Sequence, residues 1–308
     1  MPLVSVIIPS YNHSRFIKEA IDSVLNQTHQ NIELIVVDDG STDDSLIYLS
    51  SVNDPRFFLI KQKNKGAHEA INRGLKKSKG KFIAILNSDD IYHKDRIEKC
   101  LANFGKDTGM VCSWIRLIDN EGKSLGIKKG WNNMLPWSLE TRNITKRSLN
   151  EFNVNLILSN FIATTSNVIF TRKVYELVGG MKSFRFAHDW DFFLRVASSF
   201  ECKIISKSLL SYRIHPANTI SSNRRWMLYE ICLIFAAHLK SILSKKIKDD
   251  RELLSFLMDS INTQGNNNIL LALILYLQVF KSKNKSDNVE SLLRNHHLRD
   301  FFMDHIKE

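Results

Sequence analysis

The chain has 308 residues, of which 44% are hydrophobic and 24% charged, and it carries a formal net charge of +11. This length suits one large α/β domain with or without an appendage, and no apolar run reaches the ~20 residues that a membrane span requires. The first apolar run is short, ends at Pro9 and follows no basic region, so we expect no signal peptide. The positive charge favours a polyanionic partner: nucleic acid, an anionic membrane or a phosphorylated ligand.

The cysteines point to a reducing compartment. Cys100, Cys112, Cys202 and Cys232 form no C-x-x-C pair, and each lies in an apolar or helical stretch. We therefore expect free thiols in the cytoplasm rather than a disulfide framework or a zinc site.

Strands and helices alternate through the first hundred residues. The predicted strands read VSVIIP (4–9), IELIVVDD (32–39), RFFLIKQ (56–62) and KFIAILN (81–87). The predicted helices cover 14–27, 41–51, 67–78 and 94–104. Near-continuous Val/Ile runs alternating with helices are typical of an α/β fold with a mainly parallel sheet sandwiched by helices.

Polar residues follow three of these strands directly. They are PSYN at 9–12, DDGS at 38–41 and NSDD at 87–90. Taken alone, DDGS is ordinary turn and helix-cap chemistry. Parallel strands deliver their carboxyl ends to one edge of the sheet, where ligands of such folds bind. We therefore expect the three polar groups to converge on one site.

The second half of the sequence is less regular. MVCSWIRLID (110–119) and SNVIF (166–170) predict strands, whereas 121–150 is expected to be irregular. A short helix over 171–180 and an amphipathic helix over 188–200 follow, and then two short strands, CKIIS and LLSYRIH. From about residue 222 the pattern is helical, with polar breaks at 264–268 and 281–288.

Several of these stretches together resemble a known family. VSVIIPSYN, ELIVVDDGSTDDS, NSDD, HDWDFFLR and YRIH occur in this order between about residues 3 and 216. The pattern resembles the family 2 glycosyltransferases, inverting enzymes of the GT-A fold that use nucleotide-sugars. The resemblance implies a catalytic domain over 1–220, with a nucleotide-sugar half at about 1–118 and an acceptor half at about 119–220. Residues 221–308 form a C-terminal helical region outside it.

The resemblance implies a UDP-sugar donor and places its nucleotide. Asp39 matches the position that accepts a hydrogen bond from the uracil N3–H, and a carboxylate suits this imide donor. Tyr11 is expected to stack on the base beside Pro9, with core packing at the strand end as the alternative. Lys65 and Gly66 precede the third helix, where a glycine lets the backbone approach the pyrophosphate.

The NSDD cluster is expected to bind Mn²⁺ or Mg²⁺. Asp89 matches the metal-binding aspartate of the family's D-x-D element, and Asp90 is the second choice. The family's leading aspartate is Asn87 here, and we assign Asn87 and Ser88 to the nucleotide. His215 resembles a family histidine that reaches the same metal or the diphosphate. Hard oxygen ligands suit both cations, and an imidazole favours Mn²⁺.

Asp189 aligns with the family's catalytic base. It would take the proton from the acceptor hydroxyl as that oxygen attacks the anomeric carbon, and attack opposite the leaving group inverts this centre. The alternative is that Asp189 merely caps the helix at 190–200. His188 stands where the family usually has glutamate, and we place it on the acceptor side.

The basic segment 121–150 is the second acceptor-side feature. It contains Trp131 and Trp137, which would either line the acceptor side or lie at an anionic membrane surface. The resemblance implies a saccharide or lipid-linked saccharide acceptor in bacterial surface polysaccharide or lipid-linked oligosaccharide synthesis. The expected location is the cytoplasm, peripheral on the inner face of the membrane. The C-terminal helices would form a cap, a homodimer interface or a lipid contact.

Three other functions are alternatives to this interpretation, and the sequence argues against two of them. Asn87 and His188 depart from the family pattern, which leaves a catalytically impaired nucleotide-sugar-binding module as an alternative. A nucleic-acid-binding protein is motivated by charge alone, and the dispersed basic residues form no such motif, so no nucleic acid is expected. A nucleotidyltransferase would show a glycine-rich phosphate loop near the N-terminus, and VIIPSYNHS has none.

Overall fold

The computed structural model describes residues 1–130, 152, 155–156, 159–216, 223–246 and 287–306. The chain divides into two compact units. The first comprises Met1–Pro136, Ile162–Met181 and Ser199–His215, and the second comprises Trp137–Phe161, Lys182–Ser198 and Pro216–Glu308. Trp131 and Trp137 lie outside the described residues. The domain boundaries near 118 and 220 stay predictions.

The first unit contains a mainly parallel sheet. In the part of the chain that is described, the strands are β1 (Val4–Ser10), β2 (Ile32–Asp38), β3 (Phe57–Lys61), β4 (Phe82–Ile85), β5 (Ile91–Tyr92), β6 (Thr108–Ile118), β7 (Ser124–Lys128), β8 (Ile169–Thr171) and β9 (Glu201–Arg213). Their order is β3-β2-β1-β4-β8-β6-β9-β5, with β7 beside β6. The first four and the β6–β9 pair are parallel, and β8, β5 and β7 pair antiparallel.

Helices cover the sheet and extend beyond it along the chain. The first unit contains α1 (Ile17–Leu25), α2 (Ser45–Ser51), α3 (Ala67–Lys77), α4 (Arg96–Leu101) and α5 (Arg172–Val178). The second contains most of α6 (His188–Ser199), followed by α7 (Arg224–Lys246), α8 (Asp287–Arg294) and α9 (His296–His305). These elements confirm the predicted GT-A-type α/β fold with a C-terminal helical extension. Among the residues described, no helix is long and apolar enough to cross a membrane.

Alternate residues of the central strands pack on opposite faces of the sheet. Val6 and Ile8 belong to the same buried cluster as Ile21 of α1. On the other face, Ile7 lies against α3, where a Cβ on Gly74 would come within 2.4 Å of its side chain. Because the central strands are buried on both faces, their sequences read as continuous apolar runs.

The structure corrects three sequence predictions. CKIIS and LLSYRIH form one strand, β9, because a bulge absorbs the polar residues between them: Ser113 of β6 pairs with Ile205, and the next residue pairs with Ser208. The segment 121–150 is not wholly irregular, since Ser124–Lys128 forms β7. The two-residue strand β5 was not predicted.

Candidate active site

The polar groups after β1 and β2 meet at one edge of the sheet. These neighbouring strands are parallel and in register up to Ser10 and Asp38, so their carboxyl ends lie side by side. The Asn12 backbone N–H donates to Ser41 Oγ at 3.0 Å, and Asn12 Oδ1 accepts from the Thr42 N–H at 2.8 Å. Asn12 has φ +52°, a left-handed conformation that asparagine tolerates. The two loops therefore form one surface.

Asp39 organises the loop that leads into α3. Its Oδ1 accepts from the Gln62 side chain at 2.7 Å and from the Lys65 N–H at 2.8 Å, and its Oδ2 accepts from the Gly66 N–H at 2.8 Å. Gly66 has φ +92°, which L side chains rarely adopt. A carboxylate has about four acceptor positions, so Oδ2 retains capacity for a further donor. Recognition of uracil by Asp39 stays a prediction.

The remaining predicted nucleotide residues differ in exposure. Pro9 lies inside β1 opposite Val37 and is buried. Tyr11 is 45% exposed, so its ring is not part of the core, which was the alternative to base stacking. The Lys65 side chain is exposed on the loop before α3.

Asn87 joins the NSDD cluster to the turn at 164–166. Its Nδ2 donates to Thr164 Oγ1 at 2.9 Å, and its Oδ1 accepts from Thr165 Oγ1 at 2.9 Å. Its backbone N–H donates to Ser166 Oγ at 2.8 Å. The amide is thus both donor and acceptor here, which an ionised aspartate cannot be. This explains locally why an asparagine suits the position.

Asp90 is enclosed by its own chain. Its Oδ1 accepts from the Arg213 N–H at 3.0 Å, and its Oδ2 accepts from the Ser166 hydroxyl at 2.5 Å. Burial, reinforced by the neighbouring Asp89 charge, raises the pKa of Asp90 well above its ordinary value. Arg213 Nε donates to the Asp89 carbonyl at 3.0 Å, so this pair fixes the backbone that presents Asp89.

Three side chains of the first unit are close enough to hold one cation. Within the described residues, ligand atoms of His13, Asp89 and His215 all lie within 4.8 Å of one another. Asp89 Oδ2 lies 2.9 Å from His215 Nε2. The rings of His13 and His215 meet edge to face, with centroids 5.8 Å apart. Asp90 is outside this group, and the adjacent aspartates have different surroundings.

His13 is a member of this group that the sequence reasoning missed. Its Nδ1 lies 2.7 Å from Ser88 Oγ, so the hydroxyl orients the imidazole. Burial lowers the pKa of His13, which favours the neutral form that binds metals. The available signal was its place just after Ser10, at the carboxyl end of β1.

Asp189 lies in the first turn of α6, in the second unit. Its Oδ1 accepts from the Trp190 N–H at 2.6 Å, and its Oδ2 accepts from Asn160 Nδ2 at 3.3 Å. Burial raises the pKa of Asp189 to about 7, although these hydrogen bonds oppose the shift. A carboxyl with this pKa can exchange a proton near neutral pH. His188, the first residue of α6, is partly buried.

Asp191 has the opposite electrostatic environment. Its carboxylate accepts from Arg195 Nε at 2.7 Å and lies 3.0 Å from His238 Nε2 and 3.4 Å from Lys182 Nζ. Burial alone would raise the pKa of Asp191, but Arg195 and then His238 hold it well below its ordinary range. The Asp191 carboxyl is therefore ionised near neutral pH, and its contact with His238 joins α6 to α7.

The comparisons identify the family. The model of glycosyl transferase family 2 matches residues 5–191, which is more than half of the chain. The chain therefore belongs to glycosyl transferase family 2, as the resemblance of its motifs implied.

Three related proteins extend the comparison. Chondroitin synthase from Escherichia coli is 34% identical over 224 residues, 71% of this chain and 30% of that protein. Hyaluronan synthase from Pasteurella multocida is 30% identical over 224 residues, 71% of this chain and 21% of that protein. An uncharacterized glycosyltransferase from Rickettsia prowazekii is 34% identical over 230 residues, 72% of this chain and 67% of that protein. The chain thus matches less than a third of the two synthases.

Solved structures share the fold. S. aureus TarS in complex with UDP-GlcNAc superimposes with a TM-score of 0.58 and 18% identity, over 94% of this chain and 91% of that chain. The mannosyltransferase PcManGT from Pyrobaculum calidifontis, in complex with GDP-Man and Mn²⁺, gives 0.54 and 16%, over 98% and 83%. At these identities the likeness is one of fold alone.

Proposed function

We propose that the protein is an inverting glycosyltransferase that moves a sugar from a UDP-sugar to an acceptor hydroxyl. The observation that carries the proposal is the meeting of His13, Asp89 and His215. They meet at the sheet edge where folds of this kind bind ligands. A set of donors for a divalent cation at that place suits a donor substrate with a diphosphate.

The donor atoms fit Mn²⁺ better than Mg²⁺. Two imidazole nitrogens and one carboxylate oxygen are ligands that transition metals accept, whereas Mg²⁺ prefers oxygen. We assign the cation to Asp89, His215 and His13, and we give Asp90 the task of fixing the Asp89 backbone with Arg213. A bound cation would offset the negative charge that builds on the departing diphosphate.

The nucleotide would lie on the loops after β1 and β2. The free acceptor capacity of Asp39 suits the uracil N3–H, and the exposed Tyr11 ring offers a stacking surface beside Pro9. The Lys65–Gly66 backbone, shaped by Asp39, would approach the pyrophosphate. TarS was solved with UDP-GlcNAc and PcManGT with GDP-Man, so a guanine nucleotide is the competing outcome.

Asp189 would act as the general base. With a pKa raised to about 7, its ionised form is a stronger base than an ordinary carboxylate. It takes the proton of the acceptor hydroxyl while the oxygen attacks the anomeric carbon from the face opposite the diphosphate. The product then has the inverted anomeric configuration.

The acceptor is a saccharide in this proposal. Two relatives are named chondroitin synthase and hyaluronan synthase, which supports a role in polysaccharide synthesis. A lipid-linked saccharide is the alternative acceptor. The basic segment 121–150 would hold the protein on the cytoplasmic face of an anionic membrane. Binding to anionic liposomes at low salt tests this attachment, and its absence would remove it from the proposal.

Nucleotide release from a panel of donors tests the reaction. The protein is incubated with UDP- and GDP-sugars and Mn²⁺, with and without glycosaminoglycan oligosaccharides, and the anomeric configuration of the product is read by NMR. We expect UDP release and inversion, and a loss of about 10²–10⁴-fold in Asp189→Asn with donor binding retained. The exposed Asp22→Asn is the charge-matched control. Full activity in Asp189→Asn, or a retained configuration, would contradict the proposal.

A further inference from the structure

A buried glutamate of α7 holds the backbone directly ahead of α6. Glu230 accepts from the N–H groups of Arg185 and Phe186, both at 2.8 Å, and of Ala187 at 3.0 Å. Glu230 is itself buried. These N–H groups belong to the turn that enters α6, and Asp189 follows two residues later. The carboxylate thus fixes the segment from which Asp189 projects.

The same turn has further contacts with the C-terminal helices. The Ser183 hydroxyl donates to Glu290 of α8 at 2.5 Å, and the Ser183 N–H donates to the same carboxylate at 3.3 Å. The Arg185 guanidinium lies over the Trp226 ring of α7 at 5.1 Å, and Arg299 of α9 lies over that ring at 4.5 Å. Helices α7 and α8 therefore contact this turn directly, and α9 packs on the Trp226 ring that Arg185 covers.

Glu230 differs from Asp191, another buried carboxylate near Asp189, in the groups that surround it. Of the carboxylates near the start of α6, Asp191 is paired with the Arg195 guanidinium and the Lys182 ammonium, and it also contacts His238. Glu230 has backbone N–H partners, although burial raises the pKa of its own carboxyl, and its negative charge adds to the burial that chiefly raises the pKa of Asp189. Burying the Glu230 carboxylate costs free energy that burying a neutral capping side chain would not cost. This cost suggests that the negative charge of Glu230 has a role beyond capping.

We propose that Glu230 is a positioning residue for the base Asp189. It fixes the main chain on which the base lies and adds negative charge beside it. The family match ends at residue 191, and Glu230 lies beyond it. A positioning role for Glu230 would therefore give the C-terminal helical region a part in the reaction. The inference rests on the proposed base role of Asp189.

The test compares Glu230→Gln with Glu290→Gln. Glutamine keeps the size of Glu230 and one acceptor oxygen but removes the charge, whereas Glu290 holds the same turn through Ser183. For each variant, kcat, the donor KM and the pH dependence of kcat are measured with the donor found above. We expect Glu230→Gln to lower kcat about ten- to a hundredfold with little change in the donor KM. We also expect the acid limb of its profile to move to lower pH, because a negative charge near the base is lost.

Each outcome separates this inference from the proposed function. A kcat that is unchanged in Glu230→Gln, or that falls equally in Glu290→Gln, would overturn the positioning role, and an acid limb that stays in place would overturn the electrostatic part of it. Activity retained in Asp189→Asn, measured in parallel, would instead refute the base itself. Hydrogen exchange of the 185–187 amides gives a readout without turnover. We expect faster exchange in both Glu230→Gln and Glu230→Ala, and unchanged protection would contradict the contact.

Discussion

Replacing Asp189 by asparagine is expected to stabilise the folded protein at pH 8 while it removes activity. Burial raises the pKa of this carboxyl from 3.8 to about 7 in the folded chain. Between these two pH values the folded protein retains a proton that the unfolded chain has lost, so stability falls as pH rises through this window. A shift of roughly 3 units corresponds to about 4 kcal/mol at pH 8, where the base is ionised in both states.

Asparagine avoids this cost because it stays neutral at every pH. Its carbonyl can still accept from the Trp190 N–H, and the Asn160 amide can turn to meet its NH₂ group. The gain should be about 2 kcal/mol at pH 5 and about 4 kcal/mol at pH 8 as an upper limit. Urea unfolding of parent and variant at both pH values measures the difference.

Asp191→Asn is the matched control on the same helix. Asp191 is buried beside Arg195, Lys182 and His238, and losing its charge removes the carboxylate that faces the Arg195 guanidinium and the Lys182 ammonium. We expect it to destabilise the protein by about 3–5 kcal/mol. A pH-independent effect of Asp189→Asn, or destabilisation comparable to that of Asp191→Asn, would refute the reasoning about the buried base.

Three further predictions concern the site. The kcat of the parent should fall about tenfold from its plateau by pH 6, because only about a tenth of a base with a pKa of about 7 is then ionised; a flat pH profile would contradict this. In calorimetric titrations without nucleotide, His13→Ala should weaken Mn²⁺ binding at least about tenfold. The half-exposed His93 is the control, and His93→Ala should leave Mn²⁺ affinity unchanged. Equal Mn²⁺ affinities of the parent and His13→Ala would remove His13 from the site. Gly66→Ala should strain the turn at this positive φ by about 1–3 kcal/mol and weaken UDP binding. Gly105→Ala is the control, because Gly105 has no positive φ and should leave UDP binding unchanged. Unchanged UDP affinity in Gly66→Ala would show that this turn does not contact the nucleotide.

The sequence was most informative where burial was simplest. β1, β2 and β4 are buried on both faces, so their apolar runs stand out, and the alternation with helices follows. β7 was missed because its residues are exposed except Lys128, which leaves no apolar pattern. β9 was divided in two because a bulge places polar residues inside a continuous strand.

Contacts between residues that are distant in the sequence were equally hard to predict at the site. The motifs name Asp89 and His215, and the structure places His215 Nε2 2.9 Å from Asp89 Oδ2; their joint role at a metal stays a prediction. His13 was missed because one histidine in a loop has no ligand spacing along the chain, and its neighbours lie in the segments that follow β4 and β9. Glu230 could not be predicted, since its partners are 43 to 45 residues away.

Calorimetric UDP binding, with and without Mn²⁺, tests the central claim most directly. It is measured on the parent protein and on Asp89→Ala, with GDP as the comparison nucleotide. We expect that Mn²⁺ strengthens UDP binding to the parent, that this gain disappears in Asp89→Ala, and that GDP binds more weakly. UDP affinity that is the same with and without Mn²⁺, or no UDP binding under any metal, would contradict the assignment of the cation and the nucleotide to this edge of the sheet.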